Sequence, residues 1–434
     1  MPLGGEATKM ESMEPTPVPG AGLDRRAFLR RLAAAGVTLP SAAALLAACD
    51  RTAPARPSPQ PILSSPVGPT FESGKPVEST AVLKVYEWRE YLSKGTLSSF
   101  ERSFPDGDVR VEVESFTHMD EAVARLHDPA TQSDVFFPTI DALPGLVDAG
   151  LVRPLDHGQV PNVGNLWPWF RDDGGPFYDP GQRYSLPYTV YVSGVAWRDD
   201  LVAGADAPDA AADPYGVFWN PRYRGLVGMY DAFLEAMSLA LLRDGVRDVR
   251  AATDSQLDAA TRALADAVAT TGVRFTNDGV EEGLPEGEFA AHQAWSGDVL
   301  AAPHYAAAEG DADVESRLRF WSPAGPEKIV GCDLMAVCER GLHPDLAHAF
   351  LNHLLDTQVA VENFCWNGYQ PPLEGVTREA FTGPDPRFGM ELSPNLLDAL
   401  LDDASFGDAQ MLVGFGPSER ARWLDYWKRV APGT

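Results

Sequence analysis

The stretch Val82-Leu83-Lys84-Val85-Tyr86-Glu87-Trp88-Arg89-Glu90-Tyr91 carries the pattern that decides the fold class. Its first five residues predict a β-strand, and the aromatic and acidic residues from Trp88 to Tyr91 come just past the end of that strand. An amphipathic helix is predicted for residues 96–104, and a second strand for residues 109–113. A strand, a helix and another strand in this order are typical of an α/β sheet.

The same alternation continues along the chain. Further strands are predicted at residues 134–137, 226–229 and 329–337, and further helices at residues 119–126, 141–149, 231–235, 254–269, 343–355, 396–401 and 416–430. This alternation predicts a parallel sheet, whose ligands bind beyond the carboxyl ends of the strands. Trp88 to Tyr91 and Thr139 to Asp141 both follow predicted strands, so both segments are candidate binding segments.

The first fifty residues indicate export. Asp24-Arg25-Arg26-Ala27-Phe28-Leu29 is a twin-arginine pattern, and an alanine-rich apolar run over residues 32–48 follows it. The run is shorter than the roughly 20 apolar residues that a membrane-spanning helix needs. It ends in Leu46-Ala47-Ala48-Cys49, the shape of a lipoprotein cleavage box. We therefore predict that residues 1–49 are a signal peptide and that lipidated Cys49 anchors the exported protein to the membrane, in the periplasm or on the outer face of the cytoplasmic membrane.

The chain is strongly acidic, with 35 Lys and Arg against 62 Asp and Glu and a formal net charge of −27. This balance argues against nucleic acid as a partner, because nucleic-acid binding depends on basic contacts to phosphate. An acidic surface also keeps secreted proteins soluble, so the charge alone does not prove a cationic ligand. Residues 50–80 are rich in Pro and Ser and predict a disordered tether, whereas the remaining body is long enough for two lobes.

The sequence contains few signs of catalysis. It has no Gly-x-Ser-x-Gly elbow, no Walker loop, no His-Glu-x-x-His and no Cys-x-x-Cys pair, so we expect no enzyme, metal site or cofactor. A paired-carboxylate hydrolase stays open, because many acidic residues give many chance pairs. Cys332, Cys338 and Cys365 permit one disulfide in an exported protein, and the sequence does not choose the pair.

Five short motifs follow one another in a specific order: Tyr86-Glu87-Trp88-Arg89-Glu90-Tyr91, Asp134-Val135-Phe136-Phe137-Pro138-Thr139, residues 150–156, Tyr184-Ser185-Leu186-Pro187-Tyr188 and Gly368-Tyr369-Gln370-Pro371. In this order they resemble the spermidine/putrescine-binding branch of the extracytoplasmic solute-binding proteins of ABC importers. The resemblance extends from Leu83 to about Arg429.

That resemblance implies an α/β, two-lobed periplasmic-binding-protein-like fold of type 2, with a hinge of crossing strands and the ligand in an interlobe cleft. It places lobe 1 in residues 81–190 and 329–376, and lobe 2 in residues 191–328 and 377–434. Crossings are expected near residues 188–192, 328–333 and 374–378. A monomer that closes over its ligand and delivers it to an ABC permease is implied.

A polyamine needs carboxylates for its ammonium groups and aromatic faces that each give about 0.5–2 kcal/mol of cation–π attraction. The resemblance assigns ligand contacts to Trp88, Glu90, Tyr91, Thr139, Asp141, Asp231, Glu235, Trp295, Asp333 and Tyr369. Several of these residues also have a purely structural explanation. Aromatic residues often pack at strand ends, acidic residues are favoured at helix starts, and tryptophans are usually part of a core. Asp231 and Glu235 are predicted to lie on one face of a helix, and Trp295 to precede a Ser-Gly turn.

Three positions depart from the family pattern. Asp141 stands where a second aromatic is expected, Gly331 where a tryptophan is expected, and Trp427 where a polar contact is expected. The loss of stacking planes and the gain of a carboxylate indicate a changed pocket. We therefore expect a cationic, polyamine-like ligand and leave its identity open. A different small ligand on this fold, and a lipoprotein that presents its ligand to a membrane sensor, are the alternatives.

Overall fold

The computed structural model describes residues 78–173, 178–277, 279–309, 313–382, 392–413 and 415–430. The predicted signal peptide, Cys49 and all of the predicted tether before residue 78 lie outside these residues. Within the described ranges, no helix combines the length and the apolar character that a bilayer crossing requires.

One nine-stranded mixed sheet forms the centre of the protein. Its strands are β1 (Thr80–Trp88), β2 (Asp108–Phe116), β3 (Val135–Phe136), β4 (Ser185–Arg198), β5 (Val227–Met229), β6 (Arg274–Phe275), β7 (Ala291–Trp295), β8 (Leu318–Trp321) and β9 (Ile329–Val337). They are ordered β2-β1-β3-β9-β4-β7-β5-β6, with β8 paired to β4. The pairs that involve β1 or β5 are parallel, as predicted. The pairs that involve β4 or β9 are antiparallel, so the prediction of a parallel sheet is wrong at its centre.

Helices and short 3₁₀ turns surround this sheet. The α-helices of the described residues are α1 (Lys94–Arg102), α2 (Met119–His127), α3 (Leu143–Asp148), α4 (Phe233–Arg243), α5 (Asp254–Thr271), α6 (Leu284–Glu286), α7 (Ser296–Glu309), α8 (Val314–Arg317), α9 (Pro344–Leu354), α10 (Thr357–Asn367), α11 (Arg378–Thr382), α12 (Asp403–Gly407) and α13 (Pro417–Trp427). The longest, α5, shows why the sequence folds this way. Thr253 and Gln256 cap its first turn reciprocally, and Gly272 ends it in the left-handed region at φ 65°.

The antiparallel pair of β4 and β9 is the axis of the sheet. Every residue of β9 is buried, and so is all of β4 except Tyr191, because the sheet continues on both sides of the pair. The register shifts between Pro187 and Thr189, where proline has no N–H to donate to the ladder. The first two predicted crossings fall on this pair. The lobe boundaries themselves stay a prediction.

Buried apolar side chains form two clusters. The first core includes Tyr86, Phe136 and Phe350. The second core includes Trp197 and Trp423. Strand β4 runs through both, since Val192 belongs to the first core and Val195 to the second. The two cores are therefore joined by the central strands.

Three local predictions are wrong. Helix α4 begins at Phe233, after an extended Ala232, so Asp231 lies outside the helix and shares no helical face with Glu235. Ser296 and Gly297 begin α7 and do not form a turn after Trp295. Residues 394–399 form a 3₁₀ helix and not an α-helix. In each case the sequence pattern predicted a helix or a turn, and the structure differs from that prediction in the bounds or the type of the element.

Asp179 fixes the chain at the start of β4. Its buried carboxylate accepts hydrogen bonds from the backbone N–H groups of Arg183, Tyr184 and Ser185, and from the Ser185 hydroxyl, at 2.8–3.1 Å. An Asp179→Ala variant leaves these donors buried without an acceptor, and we expect it to lower the free energy of unfolding by about 2–4 kcal/mol in chemical denaturation.

The control is Asp128→Ala, because Asp128 caps a comparable turn through Ala130 N–H at 2.9 Å but is exposed. We expect that variant to change stability by less than about 0.5 kcal/mol. Equal losses in the two variants would mean that Asp179 has no special role at the start of β4.

Candidate functional site

Asp333 is a buried carboxylate in the middle of β9, 7% exposed. Its Oδ2 accepts a hydrogen bond from the Tyr91 hydroxyl. Its Oδ1 is buried and has no hydrogen-bond partner among the described residues. Burial raises the pKa of Asp333 to about 7; the Tyr91 hydrogen bond opposes this rise, and the charges of Asp141 and Asp298 add to it. This carboxylate therefore lacks a full set of partners.

Three segments meet at Asp333. Thr139, after β3, forms an isolated antiparallel bridge with Asp333, and Thr189 of β4 is its partner in register. The Thr189 hydroxyl lies 2.6 Å from the Tyr91 hydroxyl, so it can donate to that oxygen while Tyr91 donates to Asp333. The predicted site residues Tyr91, Thr139 and Asp333 are thus brought together.

The turn after β1 holds Tyr91 in place. Glu90 adopts a left-handed conformation at φ 59°, and its carbonyl accepts a hydrogen bond from the Trp366 indole at 2.9 Å. The Tyr91 carbonyl accepts hydrogen bonds from the side chains of Asn363 and Asn367 at 2.9 and 3.0 Å. These contacts turn the chain sharply and direct the Tyr91 ring toward Asp333.

Asp298 is a second buried carboxylate, in the first turn of α7. It accepts hydrogen bonds from the hydroxyls of Tyr230 and Tyr369. Burial raises its pKa, and the two hydrogen bonds oppose that rise. A Cβ at Gly297 would lie 2.5 Å from the Tyr369 ring, so glycine is needed there for the ring to reach Asp298. Tyr369 was predicted from the sequence, whereas Asp298 and Tyr230 were missed.

Aromatic rings connect the two carboxylates. Tyr91 meets Tyr369 edge to face at 5.7 Å between ring centroids, and Tyr369 meets Tyr191 at 6.0 Å. Tyr191 lies 5.5 Å from Trp295, which stacks on Tyr230 at 4.1 Å. We call these five rings with Asp333 and Asp298 the carboxylate–aromatic row. It combines negative charge with aromatic surface, the two features that an organic cation requires.

Tyr191 replaces the tryptophan expected at position 331. Gly331 and Tyr191 are partners in register, and a Cβ at Gly331 would lie 2.1 Å from the Tyr191 ring. The missing side chain thus leaves room for a ring from the neighbouring strand. No sequence signal identifies Tyr191, because it stands inside a long apolar strand.

Further acids lie around the row. Glu235 is buried in the first turn of α4 and accepts a hydrogen bond from the Ser193 hydroxyl at 2.9 Å; burial raises its pKa. Burial also raises the pKa of Glu281, with Asp298 adding to the rise and Arg89 opposing it. The charge of Glu90 acts on Glu281 too, so these acids share one electrostatic neighbourhood.

The remaining predicted residues have other surroundings. Trp88 packs on Phe116 at 4.7 Å, and Asp231 is exposed with its N–H bonded to Asn277 at 3.1 Å. Asp141 forms an ion pair with Arg420, 2.8 Å from Oδ2 to Nη1. Trp427 packs on Phe275 at 4.8 Å in the second core, which explains why no polar residue stands there.

Cysteine and metal chemistry contribute little to this region. Cys332 and Cys338 are buried free thiols, and Cys365 is exposed. Among the residues with described positions, no group of three or more histidine, cysteine or acidic side chains is arranged to hold a metal ion.

Comparison with known proteins identifies the family. The sequence pattern described as bacterial extracellular solute-binding protein matches residues 97–389. The chain is 26% identical over 297 residues to the putrescine/cadaverine-binding protein of Pseudomonas aeruginosa, which covers 66% of this chain and 78% of that protein. It is 25% identical over 292 residues to the putrescine/agmatine-binding protein of the same organism, covering 66% of this chain and 76% of that protein.

A solved structure supports the fold. The spermidine/putrescine ABC transporter substrate-binding protein PotD of Streptococcus pneumoniae superposes with a TM-score of 0.64 at 19% identity. The superposition covers 80% of this chain and 98% of that one. The predicted periplasmic-binding-protein-like fold is therefore confirmed.

The raised carboxyl pKa of Asp333 predicts how stability depends on pH. Its pKa lies at about 7 against an ordinary value of 3.8, so between these values the folded protein holds more protons than the unfolded chain. The contribution of Asp333 to the free energy of unfolding is therefore greatest at low pH and is lost as pH rises through about 7. We expect the free energy of unfolding of ligand-free wild type to fall, relative to that of Asp333→Asn, between about pH 4 and pH 7 and to level off above that.

Chemical denaturation across this range measures the difference. Asp266→Asn, at an exposed position on α5, serves as the control and should follow wild type at every pH. If the profiles of wild type and Asp333→Asn run parallel, Asp333 does not titrate in the way that its burial requires.

Gly331 tests the placement of Tyr191. Gly331→Ala forces the ring out of its position, and we expect a loss of about 1–3 kcal/mol in the free energy of unfolding, the usual cost of overpacking. The near-ultraviolet circular dichroism should change as the ring moves. Gly145→Ala is the control, because no atom lies within 4 Å of a Cβ at this helical position. Equal stability of the two variants would contradict the tight contact.

Proposed function

The chain belongs to the bacterial extracellular solute-binding proteins, and we propose that it captures a polyamine-like organic cation of the spermidine and putrescine class for an ABC importer. The two relatives described above are named for binding putrescine together with cadaverine or agmatine, and their names support this ligand class. The protein acts as a binder, with no chemical step on its ligand.

One observation carries the proposal. Asp333 and Asp298 are both buried, and the side chains that donate to them in the described part of the chain are tyrosine hydroxyls. A hydroxyl group donates a hydrogen bond to a carboxylate oxygen, but it does not neutralise the negative charge of the carboxylate. Burying an uncompensated charge is expensive, so an ammonium group is the natural partner for each carboxylate.

The aromatic rings suit the rest of such a ligand. Tyr91 beside Asp333 contacts Tyr369 beside Asp298, and further ring contacts continue from Tyr369. These further rings are Tyr191, Trp295 and Tyr230. Methylene groups between two ammonium ends would pack on these faces, while the ends gain about 0.5–2 kcal/mol for each cation–π contact. A cation with a charge at each end of an aliphatic spacer therefore suits a site with two carboxylates and aromatic rings.

Closure and anchoring complete the proposal. We propose that the two predicted lobes close about the β4–β9 pair when ligand bridges Asp333 and Asp298. We also propose that lipidated Cys49 and the tether of residues 50–80 keep a monomeric binder close to its permease at the membrane, which raises its effective concentration there. The predicted contacts of Trp88, Glu90, Asp231 and Glu235 with ligand remain part of this proposal.

Calorimetric titration of the purified protein with putrescine, cadaverine, agmatine and spermidine tests the function. We expect one of them to bind with a dissociation constant near 1 μM or below, about −8 kcal/mol. Asp333→Asn and Asp298→Asn should each weaken binding on the order of tenfold to hundredfold, the loss of a charge-assisted contact. Affinity should also fall as pH drops below about 7, because Asp333 then takes up a proton.

Asp266→Asn is the matched control, since it removes an exposed carboxylate on α5. It should bind like wild type. If Asp333→Asn weakens binding no more than this control does, the cation does not bind at Asp333.

A further inference from the structure

Arg420 and Asp141 form an ion pair beside the carboxylate–aromatic row. The Nη1 of Arg420 lies 2.8 Å from Oδ2 of Asp141, and both side chains are about one-third exposed, at 36% and 29%. Asp141 lies five residues after the end of β3, between the first-core residues Ile140 and Leu143. Its carboxylate is therefore already paired with a cation of the chain itself.

The two partners are held by different parts of the protein. Arg420 is on α13, whose residues Trp423 and Trp427 belong to the second core. Asp141 is attached to the first core. The ion pair thus links elements that pack on different cores, and it can hold them together only when they are close.

The surroundings of the Arg420 guanidinium resemble those that a bound ammonium would have. Its carbon lies 5.4 Å from the centroid of the Phe233 ring, in cation–π geometry, and Asp141 supplies the carboxylate. Phe233 is the first residue of α4, the helix that carries Glu235. A cation between an aromatic face and a carboxylate is the arrangement proposed for the ligand.

Asp141 belongs electrostatically to the same group of acids as Asp333. Its charge raises the pKa of Asp333, and the charges of Asp141, Asp333 and Glu235 all raise the pKa of the Tyr191 hydroxyl. The bridge between Thr139 and Asp333 places Asp141 two residues along the chain from the site. The site thus has a third carboxylate, and the chain's own arginine occupies it.

We propose that Arg420 is a built-in cation that fills the third ammonium position and so makes the site selective for ligands with two positive charges over ligands with three. The inference rests on the proposed function. A diamine places its ends at Asp333 and Asp298. A triamine meets the guanidinium at Asp141, where like charges repel and the carboxylate is already paired.

The test compares putrescine, with two amino groups, and spermidine, with three, by calorimetric titration of the full protein. In Arg420→Gln the Asp141 carboxylate is released, and we expect the affinity for spermidine relative to putrescine to rise by about tenfold or more, the effect of one added charge-assisted contact. Arg420→Lys keeps a cation at this position and should keep the wild-type ratio.

Arg422→Gln is the matched control on the same helix. Arg422 is 34% exposed and pairs with Asp254 at 3.0 Å, so its removal deletes a comparable charge and ion pair. We expect its ratio to equal that of wild type. Thermal unfolding of all variants shows whether each one is folded at the temperature of the titration.

The Asp141→Asn variant removes the acidic partner of the ion pair. It leaves the guanidinium unpaired beside the site, so both amines should bind more weakly than to wild type. The double variant Asp141→Asn/Arg420→Gln should regain putrescine binding without the gain for spermidine, because the released carboxylate is absent.

The outcomes separate this inference from the proposed function. If wild type binds putrescine and Arg420→Gln leaves the ratio unchanged, or loses both amines while folded, the selectivity role of Arg420 is overturned and the proposed function stands. If neither wild type nor any variant binds either amine, both are overturned.

Discussion

The hydrogen bond from the Tyr91 hydroxyl to the Asp333 carboxylate is the contact on which the site depends. Asp333 stands in β9, a strand whose nine residues are all buried, so water cannot stabilise its charge. One tyrosine hydroxyl compensates only part of the cost, since the other carboxylate oxygen lacks a partner among the described residues. The centre of the sheet thus retains a polar group that a cation can stabilise, which joins the stability of the fold to the binding of ligand.

The chemical nature of the donors decides which acids stay available. Tyrosine hydroxyls hold Asp333 and Asp298 in position and add no positive charge, so both carboxylates can still attract a cation. Arginine has the opposite effect at Asp141, where its guanidinium neutralises the carboxylate. Three acids in one electrostatic neighbourhood are thereby given two different roles.

The departures from the family pattern have structural reasons. Gly331 leaves the space that the Tyr191 ring occupies, so the aromatic surface is supplied by the adjacent strand. Trp427 fills the second core. Asp141 forms an ion pair with Arg420. The contacts of these three residues come from neighbouring elements, which a reading of one position at a time cannot detect.

The sequence by itself determined strands β1, β2, β3, β5 and β9, the long helix α5 and the position of Asp333 within an apolar strand, because hydrophobic periodicity is a local property. It also placed the segments from Trp88 to Tyr91 and from Thr139 to Asp141 beyond strand ends, where α/β sheets bind ligands. It could not identify Asp298, whose tyrosine partners lie 68 and 71 residues away in the chain, nor show that Asp141 meets Arg420 across 279 residues. Only the tertiary structure decided which carboxylates are buried and which are already paired, because burial and charge pairing depend on residues that the fold brings together from distant parts of the chain.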